Sequence, residues 1–114
     1  MGRHAGGGRN WEDFRPDPYL SGVAMNVSVS GIQSTGVQAC SKHYIGNEQE
    51  TQRSYTTTSN GTTIEAISSN IDNRELYLWP FADAVKAGTA SVMCAYNRLN
   101  GTYHCAKRRA YRRC

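Results

Sequence analysis

Two short apolar segments, each preceded by apolar residues at helical spacing, constrain the fold of this chain most strongly. The apolar segments are residues 37–41 and 89–96. Strands that alternate with helices are typical of parallel α/β sheets. Two strands cannot cover both faces of such a sheet. The sequence therefore predicts an α/β fold that is a slice of a larger domain, with about two strands, two helices and long loops.

Start and stop signals accompany both predicted helices. Asp17 is a typical N-cap and Pro18 a typical first helical residue, and Gly36 ends that segment. A second helix is predicted over residues 74–87, where Pro80 should kink or restart it. Between them, the polar residues 44–70 are predicted to form a long loop.

The net charge of +4 belongs to the end of the chain rather than to its body. Residues 107–114 hold five of the 13 basic residues, so the remainder has 13 − 5 = 8 basic and 9 acidic residues. A basic tail can neutralise phosphates, but no basic stripe extends it into the body. We expect no nucleic-acid partner. No apolar run is long enough to cross a membrane, and residues 1–10 lack the apolar core of a signal peptide.

Cysteine spacing favours one disulfide bond. The four cysteines include no Cys-x-x-Cys pair and allow three pairings. Cys94 and Cys105 flank the turn signal Asn100-Gly101, which favours a disulfide between them. Cys40 lies in an apolar segment and is predicted to be a buried free thiol.

Three Asn-x-Ser/Thr sequons are possible glycosylation sites in a secreted protein. Asn60 and Asn100 lie in turn-like segments that suit glycan attachment. Asn26 lies within the first predicted helix, where an unused match is the favoured interpretation.

Polar residues follow both predicted strands. Lys42-His43 follows the first, and Met93 to Tyr96 ends the second. Ligands of α/β sheets bind at the carboxyl ends of strands, so these residues are candidate ligand contacts, although an ordinary strand exit stays open. His43 with Glu48 and Glu50 does not have metal-ligand spacing, and no cofactor motif occurs, so we predict no metal and no cofactor.

Five ordered motifs in this chain resemble the N-terminal barrel of glycoside hydrolase family 3, and most closely its fungal secreted β-glucosidases. They are GGRNWEDFRPDPYLSG (7–22), KHYIGNEQE (42–50), SSNID (68–72), ELYLWPFADAVKAG (75–88) and SVMCAYNRLNG (91–101). The resemblance implies a partial (β/α)8 TIM-like barrel, with residues 1–106 as part of the family domain and residues 107–114 as a divergent basic tail.

The resemblance also implies an activity and a set of sugar contacts. The implied activity is that of a retaining β-glucosidase, which removes terminal non-reducing β-D-glucosyl residues from cellobiose and related glucosides. Arg9, Lys42 and His43 match residues that hold glucose hydroxyls. Tyr96 matches a tyrosine beside the nucleophile, and Met93 matches a pocket-wall residue. The expected partner is a β-glucoside, and the expected location is extracellular.

Two departures from the family pattern affect the expected activity. The chain has no Ser-Asp-Trp motif, which carries the family nucleophile, and the acid/base glutamate lies far downstream in the family. We therefore expect neither catalytic carboxylate in this chain. A few family residues are also missing around Arg74, which should shift the first turn of the second helix. A non-catalytic product or weak carbohydrate binder is the alternative interpretation.

Overall fold

The computed structural model describes residues 1–48, 65–66, 73–99 and 102–103. Sequons Asn60 and Asn100, Cys105 and the basic tail at 107–114 lie outside these residues. The described helices and strands follow in chain order: α1 (Pro18–Gln33), β1 (Cys40–Tyr44), β2 (Glu65–Ala66), α2 (Leu78–Lys86), β3 (Ser91–Cys94), β4 (Arg98–Leu99) and β5 (Thr102–Tyr103). Two single 3₁₀ turns, Ala5–Gly7 and Asn10–Glu12, precede α1.

Helix α1 begins where the sequence predicts. The carboxylate of Asp17 accepts a hydrogen bond from the backbone N–H of Leu20 at 2.7 Å, and Pro18 is the first helical residue. Such a cap satisfies a backbone donor that has no partner within the helix. The backbone of Gly36 is left-handed, with φ of 82°, in the turn that follows the helix. A glycine accommodates this conformation without steric cost.

Helix α2 begins later than predicted, and its start is irregular. Residues Asn73–Tyr77 form a π-helical turn, and regular α-helix follows from Leu78. Pro80 is the third residue of α2, and the π-helical turn precedes α2 without a break. The change from π-helical to α-helical geometry falls between Tyr77 and Leu78, and the predicted kink or restart at Pro80 itself stays a prediction. The shift expected for the first turn coincides with the π-helical residues.

Strands β1 and β3 form a parallel two-stranded sheet. Cys40, Ser41 and Lys42 pair in register with Ser91, Val92 and Met93, and the register then shifts so that Tyr44 lies opposite Cys94. This shift places a β-bulge at His43. The peptide bonds Lys42–His43 and Tyr44–Ile45 are both cis.

Two predictions about the first strand are wrong. The strand spans residues 40–44 rather than 37–41, because backbone pairing with β3 begins at Cys40 and Val37 is exposed. The strand is also not buried on both faces: Ser41 and Tyr44 are buried, whereas Cys40 and Lys42 are exposed. Lys42-His43 is therefore part of the strand and not an exit from it.

A second small sheet contains β2, β4 and β5. Strand β2 pairs in parallel with β4, and β4 pairs antiparallel with β5. Arg98 lies opposite Tyr103 and Leu99 lies opposite Thr102. Strand β2 corrects the prediction of loop throughout residues 44–70. Two residues carry too little periodicity for a sequence pattern to identify.

Helix α2 joins two apolar clusters. On one side Phe81 packs with Tyr44, Ile45 and Leu99. The rings of Tyr44 and Phe81 pack edge to face, with their centroids 5.0 Å apart. On the other side, Ala84 packs with Val29 of α1 and with Ala39 before β1. The two clusters place β1 against both helices.

Apolar side chains on α1 are exposed in the described structure. They are Tyr19, Leu20, Val23, Val27 and Ile32. Exposed apolar surface of this kind usually marks a face that packs against further protein. Within the described helices, none combines the length and apolar character that crossing a membrane requires.

Candidate functional site

A cleft of about 250 Å³ lies between the N-terminal segment, α1, β1 and the start of α2. Arg9, Lys42 and His43, three of the predicted sugar contacts, line it. Its lining combines apolar residues of α1, such as Met25, Val29 and Ile32, with charged residues of the N-terminal segment and β1. An apolar cleft with a few convergent polar groups is the usual form of a small-molecule site.

Two cations from distant parts of the sequence meet on one carboxylate in this cleft. Arg9 donates from Nε to Oε1 of Glu12 at 2.6 Å and from a terminal guanidinium nitrogen to Oε2 at 2.8 Å. Lys42 donates from Nζ to Oε2 of the same carboxylate at 2.5 Å. The paired bonds from Arg9 have the two-point geometry that fixes a guanidinium in orientation.

The 3₁₀ turn Asn10–Glu12 explains how Arg9 reaches Glu12. The backbone N–H of Glu12 donates to the carbonyl oxygen of Arg9 at 3.1 Å. Residues three apart in such a turn lie on the same side. Lys42 reaches the pair from β1, so the folded chain assembles the cluster across 30 residues of sequence separation.

The charges of this cluster are unequally exposed. The side chains of Arg9 and Lys42 are 39% and 41% exposed, whereas that of Glu12 is 18% exposed. Hydrogen bonds from Arg9 and then Lys42 lower the pKa of Glu12 from 4.5 to about 2. The carboxylate therefore stays ionised beneath two accessible cations at neutral pH.

A β-bulge lies where β1 lines the cleft, although Cys40 and Ser41, which precede the bulge, line the cleft as well. In a regular strand, neighbouring side chains point to opposite faces. The register shift between Lys42 and Tyr44 interrupts this alternation at His43, and both Lys42 and His43 line the cleft. Bulges commonly redirect a side chain near a functional site.

Met93 and Tyr96 are not brought into the cleft wall. Met93 pairs with Lys42 in the sheet and is 48% exposed. Tyr96, just beyond β3, is 70% exposed. The described structure thus places Met93 beside Lys42, while the predicted contacts of Met93 and Tyr96 with sugar stay predictions.

The structure describes two of the four cysteines, Cys40 and Cys94. Cys94 is disulfide-bonded, and because Cys105 lies outside the described residues, the Cys94–Cys105 pairing stays a prediction. Cys40 is a free thiol, but the prediction that it is buried is wrong, because its side chain lies on the exposed face of β1.

One residue of the cleft, Glu12, was missed by the sequence interpretation, whereas Asn97, which follows the second predicted strand, supports the cleft from outside its lining. Glu12 accepts hydrogen bonds from both Arg9 and Lys42. Its spacing of three residues from Arg9 could have predicted the ion pair with Arg9. Asn97 is buried and donates from Nδ2 to the backbone carbonyl of Ile45 at 3.1 Å. This bond holds the end of β1 next to Gly46, which lines the cleft with φ of 77°.

Comparison with known proteins identifies the class to which this site belongs. The family model described as the glycosyl hydrolase family 3 N terminal domain matches residues 1–112. The chain therefore belongs to glycoside hydrolase family 3. Its α/β fold is part of that family's N-terminal barrel domain, as predicted.

Individual relatives are fungal and bacterial β-glucosidases. The chain is 62% identical to probable beta-glucosidase G of Aspergillus flavus, over 92% of this chain and 14% of the relative. It is similar to the crystal structure of beta-D-glucoside glucohydrolase from Trichoderma reesei, with 52% identity and a TM-score of 0.79 over 90% of this chain and 13% of that one. Beta-glucosidase 3B from Thermotoga neapolitana, solved in complex with glucose, shares 43% identity with a TM-score of 0.79, over 90% of this chain and 13% of that one. The chain thus spans about one seventh of the length of these relatives.

Proposed function

We propose that the cleft is the glucose-binding part of a retaining β-glucosidase that hydrolyses terminal non-reducing β-D-glucosyl residues. The observation that carries this proposal is the convergence of Arg9 and Lys42 on one side of the cleft. Cellobiose and related β-glucosides are the proposed substrates. The relative solved with bound glucose supports the choice of sugar.

Arg9, Lys42 and His43 are proposed to hold hydroxyl groups of the glucose ring. Hydrogen bonds from charged donors are shorter and stronger than those from neutral donors. Hydroxyl oxygens accept such bonds, and each hydroxyl still has its own proton to donate. Contacts of this kind raise the rate where they tighten in the transition state.

Met93 and Tyr96 are proposed to contact the sugar from the β3 side. Met93 lies beside Lys42 in the sheet, so an apolar side chain and a cation are adjacent at one edge. Tyr96 follows two residues after Cys94, the last residue of β3, and its proposed place is next to the nucleophile of the complete site.

The catalytic carboxylates are proposed to come from outside residues 1–114. In a retaining glycosidase one carboxylate attacks the anomeric carbon while a carboxylic acid protonates the departing oxygen, and water then releases the sugar. The 114-residue chain is accordingly proposed to bind glucosides without hydrolysing them. The proposed setting is extracellular, with Asn60 and Asn100 as glycan acceptors.

A titration of the isotope-labelled chain with methyl β-D-glucoside tests the proposal. Saturable shifts of backbone amide signals are expected at Lys42, His43 and Gly46. The Lys42→Gln variant should bind about tenfold more weakly, since a hydrogen bond to a charged group contributes about 1.5–3 kcal/mol. The same chain should release no nitrophenol from 4-nitrophenyl β-D-glucoside.

The matched control is Lys86→Gln. Lys86 also forms an ion pair, with Asp83 at 2.8 Å, but does not line the cleft. Its removal should leave the dissociation constant unchanged. Equal weakening by both variants, or no saturable shift in the cleft, would contradict the proposed function.

A further inference from the structure

We propose that Glu12 is a positioning residue that fixes Arg9 and Lys42 in the orientation in which both donate to the same glucose ring. The inference deepens the proposed function and rests on it. In this proposal Glu12 does not contact the sugar itself. It acts through the two cations.

The first argument is the geometry of the shared carboxylate. Oε2 of Glu12 accepts from both a terminal nitrogen of Arg9 and Nζ of Lys42, at 2.8 and 2.5 Å. Oε1 accepts from Nε of Arg9 at 2.6 Å. Long cationic side chains are otherwise free to adopt many rotamers, and ordering each one has a cost in entropy. One carboxylate here restricts both.

The second argument is electrostatic. Two cations that share one oxygen lie close to each other, and like charges at that distance repel. An ionised carboxylate between them offsets the repulsion. The low pKa of Glu12 reflects this placement, with Arg9 as its largest cause and Lys42 as the second.

The third argument concerns the donors of the two cations. A guanidinium has five N–H donors and an ammonium has three. The bonds to Glu12 use two from Arg9 and one from Lys42. Lys42, which is 41% exposed, is therefore able to stay bound to Glu12 while donating to a hydroxyl oxygen.

An ordinary ion pair elsewhere in the chain gives the contrast. Asp83 and Lys86 also lie three residues apart, and the Asp83 carboxylate is 17% exposed, close to the value for Glu12. That pair holds one cation, which is 72% exposed on α2. The Glu12 cluster differs because it joins the N-terminal segment to β1 at the wall of a cleft.

The test compares the dissociation constant for methyl β-D-glucoside among three variants of the full chain. Glu12→Gln keeps the shape of the side chain but removes its charge, and should weaken binding about tenfold, the size expected when one charge-assisted hydrogen bond is misplaced. Glu12→Asp keeps the charge on a shorter side chain and should recover part of this loss. Asp83→Asn, the matched control, should bind as the unchanged chain does.

The outcomes separate this inference from the proposed function. If the unchanged chain shows no saturable binding, the proposed function fails and this inference fails with it. If the unchanged chain binds and Glu12→Gln binds equally well, only this inference is overturned. Should Glu12→Gln lose its dispersed amide spectrum, Glu12→Asp decides: weaker binding with a native spectrum supports positioning, and unchanged binding overturns it.

Discussion

Asn26 of α1 and Asp83 of α2 are joined by a hydrogen bond across the two helices. The side-chain nitrogen of Asn26 donates to the backbone carbonyl oxygen of Asp83 at 3.2 Å. That carbonyl belongs to α2, and the bond lies beside the cluster of Val29 and Ala84. The interface between α1 and α2 therefore combines a polar contact with apolar packing.

We predict that Asn26 carries no glycan in the folded protein, because a glycan would be attached to the nitrogen that binds Asp83. Expression in a secreting fungal host followed by intact-mass measurement checks this. Ser28→Ala destroys the sequon without touching Asn26 and should change the mass only by the substituted residue. The loss of a glycan mass in Ser28→Ala would contradict the prediction.

Asn26→Ala should destabilise the chain by about 1 kcal/mol, the usual contribution of a protein hydrogen bond. The carbonyl of Asp83 would lose its side-chain donor and keep the backbone N–H of Ala87, which donates to it at 3.0 Å. Urea unfolding followed by circular dichroism measures this change. An unchanged midpoint would mean that the bond between the helices contributes nothing to stability.

Gly22 permits close approach of the helices, and its replacement should be costly. A Cβ atom at Gly22 would overlap Oδ2 of Asp83 and lie 3.1 Å from Cδ1 of Trp79. Gly22→Ala should therefore destabilise the chain by about 1–3 kcal/mol, as overpacking does. Gly31→Ala, also on α1, meets nothing within 4 Å and should stabilise by about 0.5–1 kcal/mol through helix propensity. Equal effects of the two variants in urea unfolding would refute the packing argument.

The Glu12 carboxylate should titrate near pH 2 rather than near its ordinary value of 4.5. Because the folded pKa is the lower one, the folded state binds fewer protons than the unfolded state between these values. The stability contributed by Glu12 is thus present above about pH 4.5 and is lost as pH falls toward 2. Carbon-13 NMR of the Glu12 carboxyl measures its pKa directly.

Replacing each cation in turn should show which of the two lowers the pKa of Glu12 more. Arg9→Gln should raise the pKa of Glu12 more than Lys42→Gln does, since Arg9 is the first cause of its depression. Lys86→Gln, which lies outside the cluster, should leave the pKa unchanged. The reverse ranking would mean that Lys42 dominates the cluster.

Cysteine labelling should distinguish the free Cys40 from the disulfide-bonded Cys94. Iodoacetamide should modify Cys40 without prior reduction, since it is free and exposed, and should modify Cys94 only after reduction. Peptide mapping without reduction should recover Cys94 linked to Cys105. A Cys94 peptide linked to Cys114 instead would overturn the predicted pairing.

Local signals predicted the start of α1 correctly. Asp17 and Pro18 define the start of α1 in sequence and in structure, because a cap depends only on neighbouring residues. The position of β1 was less predictable. Its pairing partner, β3, is about fifty residues away, and the bounds of β1 follow from where pairing begins.

The candidate site was predictable only in part, for the same reason. Arg9, Lys42 and His43 were identified through family motifs, and the structure brings all three to one cleft. The role of Glu12 depends on Lys42, a contact between distant residues that no local pattern contains. The exposure of Met93 and Tyr96 is likewise a property of the folded surface.

The parallel pairing of β1 with β3 also sets an order in which the chain can fold. All members of the Glu12 cluster lie within the first 42 residues, whereas the partner strand begins at Ser91. During synthesis the N-terminal part emerges first, and contacts between distant residues form more slowly than local ones. The edge of β1 must therefore stay unpaired until β3 has left the ribosome. Throughout that interval a nascent chain presents an open strand edge to its neighbours, and crowded translation would favour pairing between molecules.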